Sequence, residues 1–186
     1  MRIEKLQEAY DIEPVLVHFP LHPETPAEGR DMTAFYAERG IDPEAAYARM
    51  KGLMDKEGLS YSRRSHTYNS RLAQELGKWA DTKPGGAAIH DAFYRAYFVG
   101  ARNIGDPEVM IDVVKSVGLD TDEARDVLKE RRFKDAVDAD WAKSRHLGIT
   151  GVPTFVAGGY GVVGAQPYEM LVQLVEKAGA RRRVVS

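Results

Sequence analysis

The stretch Gly148-Ile149-Thr150-Gly151-Val152-Pro153-Thr154-Phe155-Val156 marks where the chain stops reading as helix and starts reading as strand. Gly148 ends a helical pattern. Two short apolar runs follow, Thr154 to Ala157 and Tyr160 to Val163, and Gly158-Gly159 between them reads as a tight β-hairpin turn. On these residues alone Pro153 is a trans proline that introduces a strand, since only roughly 5% of X-Pro bonds are cis. After the hairpin, Leu171, Leu174, Val175 and Ala178 lie on one face of a closing amphipathic helix.

Upstream, the period is helical from about Met32 to His146. Asp42-Pro43-Glu44 and Asp106-Pro107-Glu108 each set a capping carboxylate before a first-turn proline and an acidic residue, which suits the orphan amides and the dipole of a helix start. Leu72, Leu76 and Trp79 mark a helix ended by Pro84-Gly85-Gly86; Ile89, Phe93, Ala96 and Tyr97 mark the next. Val109, Val113 and Val117 line a helix that stops at Gly118, Thr121 to Glu130 forms another, and Val137, Trp141 and Ser144 lie on a last one. Further upstream, Val15 to Phe19, bounded by Pro14 and Pro20, reads as one buried strand, and a proline-rich loop, Leu21 to Gly29, leaves it. Ile3, Leu6 and Tyr10 place the beginning of the chain inside a helix with no visible cap.

Composition narrows the function. With 186 residues and 44% hydrophobic content the chain can bury a core of its own. Its 26 basic and 28 acidic residues leave a net charge of −2, which offers no field to hold nucleic acid or an anionic membrane. No stretch is long and apolar enough to span a bilayer, no signal-peptide pattern opens the chain, and a cytoplasmic protein is expected. The basic run Arg181-Arg182-Arg183 reads as a frayed, solvated tail. There is no cysteine, which rules out disulfides, thiolate catalysis and cysteine-zinc sites in these residues.

Several segments together resemble the DsbA family and, within it, the FrnE-like branch that includes 2-hydroxychromene-2-carboxylate isomerases and kappa-class glutathione transferases. They are Arg2 to Leu6, Phe19-Pro20-Leu21-His22-Pro23, Asn69 to Ala73, Phe93 to Phe98, Asn103-Ile104-Gly105-Asp106, Gly148 to Val156 and Gly164-Ala165-Gln166-Pro167, in family order over nearly the whole chain. The resemblance implies an α/β, thioredoxin-like (DsbA-like) sheet with a large helical insertion. Residues 1–30 and 148–180 would form an incomplete thioredoxin-like domain, 31–147 the inserted helical subdomain and 181–186 a basic tail. It also implies what is lacking: the family's first strand and its Cys-Pro-x-Cys segment, or a serine in the isomerases, precede the helix that matches Arg2 to Tyr10. No residue here matches the nucleophile, so none is assigned as catalytic.

The family's chemistry needs a thiolate at a helix N-terminus beside a cis-proline loop that pairs with the substrate's backbone. Only the second half is present. By resemblance Gly151, Val152 and Pro153 form that loop, with Pro153 cis, and bind a peptide or a small thiol-bearing substrate. Asn69 and Arg71 occupy positions that hold a carboxylate or glutathione near the groove, although an Asn before a helix is more often its N-cap. No cofactor is implied, with glutathione left open, and no metal: His18 and His22 lie in a strand and a loop without a thiolate or a Glu-x-x-His partner. Three readings stay open, namely a disulfide oxidoreductase whose thiols lie outside this chain, a non-catalytic peptide-binding or dimerising protein, and a glutathione-dependent isomerase or transferase. The resemblance also implies that the opening strand lies between Val15 to Phe19 and Thr154 to Ala157. Its absence leaves two open ladders, so a homodimer that buries them is expected.

Overall fold

A computed structural model describes residues 2–183. The chain forms two compact units: one comprises the residues up to Leu21 together with those from Ala139 onward, and the other is His22–Asp138.

The terminal unit is built on its first and last helices. In α1 (Arg2–Ala9), Leu6 and the adjoining Tyr10 are buried together with Leu171 and Val175 of α9 (Tyr168–Lys177). The predicted hairpin forms, with β3 (Thr154–Ala157) antiparallel to β4 (Tyr160–Val163) and Thr154 paired with Val163. Both turn residues, Gly158 and Gly159, have positive φ of 54° and 82°, the backbone that a tight hairpin of matching twist demands. Phe155 and Val162, opposite each other, pack into the α1–α9 cluster. Burying a side chain of this size contributes about 2 kcal/mol, so the cluster is the terminal unit's main source of stability.

Two expectations for this unit are corrected. Val15 to Phe19 is not a strand, and Val15 is 74% exposed. At His18 side chains take the place of a neighbouring ladder: its amide donates to Asp140 Oδ2 at 2.9 Å, and its carbonyl lies 3.4 Å from Ser144 Oγ, whose hydroxyl also serves the Asp140 carbonyl at 3.0 Å. An apolar run becomes a strand only when a partner strand supplies those bonds. Arg181 to Arg183 are not frayed either. Asp11 N donates to the Arg181 carbonyl at 2.8 Å, Arg183 N donates to the Ala9 carbonyl at 2.9 Å, and Tyr10 and Arg182 form an antiparallel bridge. The rest of the expected tail, 184–186, lies outside the described residues.

The inserted unit is mainly helical: α2 (Met32–Ala37), α3 (Pro43–Lys56), α4 (Arg71–Ala80), α5 (Ala88–Phe98), α6 (Pro107–Ser116) and α7 (Thr121–Glu130), with the unit boundary falling inside α8 (Lys134–His146). The two expected caps form, Asp42 and Asp106 each accepting from the amide two residues on at 2.9 Å. Leu76, Trp79, Ile89, Met110, Val114 and Val127 make its core. The helical reading from Met32 to His146 needs one correction, because the segment between α3 and α4 carries a short strand. There β2 (His66–Thr67) pairs antiparallel with β1 (Arg30–Asp31).

Candidate functional site

In the terminal unit the site is the loop that enters β3. The Val152–Pro153 peptide is cis. Thr154 Oγ1 donates to the Gly151 carbonyl at 2.7 Å and closes the loop on itself. The Gly164 amide donates to the Pro153 carbonyl at 2.7 Å, one rung beyond the Thr154–Val163 pair. Gly164 has φ of +89°, a conformation that glycine adopts without strain. Beyond it, Arg2 donates to the carbonyls of Ala165 at 3.2 Å and Gln166 at 2.6 Å, which ties the start of α1 to the loop after β4.

This pattern decides which main-chain groups are free. In an antiparallel pair, hydrogen-bonded and non-hydrogen-bonded residues alternate. Since Pro153 bonds to Gly164, the next non-bonded residues on β3 are Thr154 and Val156, whose N–H and C=O point away from β4. Among the described residues no third strand joins this sheet. Val152 also makes no main-chain hydrogen bond there, and it is 49% exposed. Val152, Thr154 and Val156 thus line an open sheet edge that continues into the cis-proline loop. On the side of the hairpin away from Phe155, Val156 is 47% and Val163 60% exposed.

Residues 1–176 of the chain match the family model of the DSBA-like thioredoxin domain. The chain belongs to the DSBA-like thioredoxin domain family. Its fold matches the crystal structure of the "probable DsbA oxidoreductase" of Streptomyces coelicolor with a TM-score of 0.87 and 32% identity, covering 100% of this chain and 85% of that one. No curated protein matches the chain. This member of the DsbA-like family carries the α/β DsbA-like fold with no cysteine among its 186 residues, so the Cys-x-x-Cys segment is absent from them. Among the described residues no helix is long and apolar enough to cross a membrane.

The remaining predicted site residues, Asn69 and Arg71, lie in the inserted unit. Asn69 Oδ1 accepts from the Arg71 amide at 2.9 Å and its Nδ2 donates to the Thr25 carbonyl at 2.8 Å, so its side chain joins the start of α4 to the loop before β1. Arg71 donates through Nε to Glu75 Oε1 at 2.7 Å and through Nη2 to the Lys134 carbonyl at 2.8 Å, and pairs with Asp138 at 2.7 Å. Glu75, only 1% exposed, also takes both ends of Arg131 at 2.7 and 2.6 Å. Burial alone would push the Glu75 carboxyl up, but the guanidinium groups of Arg131 and Arg71 hold it below the ordinary carboxylate range. Sequence reasoning did not single out Glu75, though its spacing from Leu72 and Trp79 puts it on the apolar face of α4. Gly164 and Arg2 entered only as parts of family-like segments; their roles in fixing the loop come from long-range contacts.

Proposed function

We propose that this chain docks a substrate as a FrnE-like member of the DsbA-like family. In this reading an extended polypeptide lies along the β3 edge, pairing with the main chain of Val152, Thr154 and Val156, and Gly151 and Pro153 set the angle at which it enters. The observation that carries the proposal is the open edge itself, because unpaired N–H and C=O groups in register are what strand addition needs. Thiol–disulfide exchange requires a thiolate to attack a sulfur, so any exchange on the docked peptide depends on a thiol from outside these residues. Glutathione, itself a short peptide, would use the same Val152 groups.

The exposed Val156 and Val163 favour a second use of the same edge, as the seat of another copy of the chain. With no strand at Val15 to Phe19, β3 is the one that forms of the two strands expected to flank an empty slot.

The test is amide chemical-shift mapping with the oxidised insulin B chain, an unstructured polypeptide. Shifts centred on Val152, Thr154 and Val156 are expected, and shifts confined to other residues, or none at saturating peptide, would overturn the docking assignment. Light scattering over a range of protein concentrations tests the second use. A homodimer that the peptide competes apart is expected, and a strict monomer removes it.

A further inference from the structure

A second site lies in the inserted unit, around Arg64. The segment between α3 and β2 borders a cavity of about 450 Å³ lined by Tyr36, Tyr47, Tyr61, Arg63 and Arg64 together with Asp31. That volume falls within the range of small-molecule sites, and its mixture of rings and a few charged groups is typical of them. The rings are already ordered: Tyr47 stacks on Tyr61 at 5.8 Å with the planes 26° apart, and Tyr61 stacks in turn on Phe98 at 6.3 Å.

The charges of this cavity divide unequally. Arg63 is neutralised by a bidentate pair with Glu44 and lies 4.4 Å from the Tyr47 ring centre. Asp31 is engaged at the start of α2, where it accepts from the Ala34 amide at 2.9 Å. Arg64 has neither: among the described residues it makes no hydrogen bond or ion pair, and its Nε is buried without an acceptor. What holds it is aromatic, with the guanidinium carbon 4.2 Å from the Tyr97 ring centre and 4.8 Å from that of Phe98. Stacking fixes the orientation of a guanidinium but leaves its charge uncompensated and its fork of donors unused. A half-buried cation in that condition favours an anion of matching planar shape.

We propose that this cavity binds a small aromatic anion, its acidic group on the outer nitrogens of Arg64 and its ring against Tyr47 and Tyr61. The ligand chemistry follows from the two halves of the site: the fork selects a carboxylate or a similar oxyanion, and Tyr47 and Tyr61, whose faces are already engaged by each other, Phe98 and Arg63, offer ring edges that select a flat aromatic body by edge-to-face contact. The site is independent of the β3 edge.

The test uses 2-naphthoate as the probe and its neutral analogue 2-naphthalenemethanol, titrated calorimetrically into the full chain. Saturable one-to-one binding of 2-naphthoate is expected, weakened at least about tenfold in Arg64→Met and for the neutral analogue with the wild-type protein. Magnetisation transfer from the naphthalene protons to the Tyr47 and Tyr61 rings should locate the ligand. No saturable binding of 2-naphthoate, equal binding of the neutral analogue, or transfer to other rings alone would each overturn the assignment. The neutral-analogue comparison needs only the wild-type protein, so it decides the matter even if Arg64→Met fails to fold.

Discussion

The Pro153 carbonyl accepts from the Gly164 amide at 2.7 Å, and this contact carries the β3–β4 ladder past its last strand pair into the cis-proline loop. Gly164 can take part because φ of +89° costs it nothing, and a Cβ there would meet only Gln166 Nε2, at 3.7 Å. The cost of Gly164→Ala is therefore conformational rather than steric. A loss of about 1–2 kcal/mol in unfolding free energy is expected from urea denaturation. Gly161→Ala, at a β4 glycine without positive φ and with ordinary contact distances, should change stability by much less.

Thiol chemistry should be absent from this polypeptide. With no cysteine to form a mixed disulfide, insulin reduction by dithiothreitol should run no faster with the protein than in a blank. Turnover above the blank would require a sulfur-independent route that the family's chemistry does not contain.

Glu75 should govern the acid stability of the inserted unit. Its folded carboxyl titrates below the ordinary value, so its contribution is complete above the unfolded value and is lost as the pH falls through the folded one. Glu75→Gln leaves Arg71 and Arg131 facing a neutral amide and should cost about 3 kcal/mol. That is the low end for a broken buried pair, because Arg131 is 43% exposed. Urea midpoints measured from neutral to acid pH should drop steeply for the wild type and less for the variant.

Tyr10 provides an alkaline counterpart. Its hydroxyl donates to Glu176 Oε1 at 2.5 Å, and this bond, with burial added, raises the phenol above its ordinary value against the opposing pull of Arg182. The associated stability is complete below the unfolded value and is lost as pH rises through the folded one. The difference in near-ultraviolet absorbance between wild type and Tyr10→Phe should therefore titrate later than free tyrosine, and Glu176→Gln should bring it back. An unshifted difference curve would show that the hydrogen bond does not form in solution.

How much was legible in the sequence depended on how local the cause was. Asp42 and Asp106 bond to amides two residues away, and Gly158-Gly159 bends the chain where it stands, so the caps and the hairpin could be read directly. Val15 to Phe19 has the composition of a strand, but a strand is a property of two segments, and here the buried Asp140 and Ser144 take the His18 backbone groups. Arg181 to Arg183 looked like a tail because nothing nearby in sequence holds them; their partners are Ala9, Tyr10 and Asp11. The candidate site divides the same way. The loop from Gly151 to Phe155 stands out as a motif, whereas the anchors at Gly164 and Arg2 and the ion cluster on Glu75 arise from residues far apart along the chain.

The pairing of α1 with α9 has a consequence for how the protein is made. Tyr10 and Glu176 are 166 residues apart, and the buried partners of Leu6 and Tyr10, Leu171 and Val175, lie on α9. At ribosomal speeds of about 5–20 residues per second that interval is roughly 10–30 s, long enough for the contiguous His22–Asp138 unit to fold first. During that time Leu6 and Tyr10 wait for those α9 partners on the nascent chain, which makes α1 a natural place for a holding chaperone to grip.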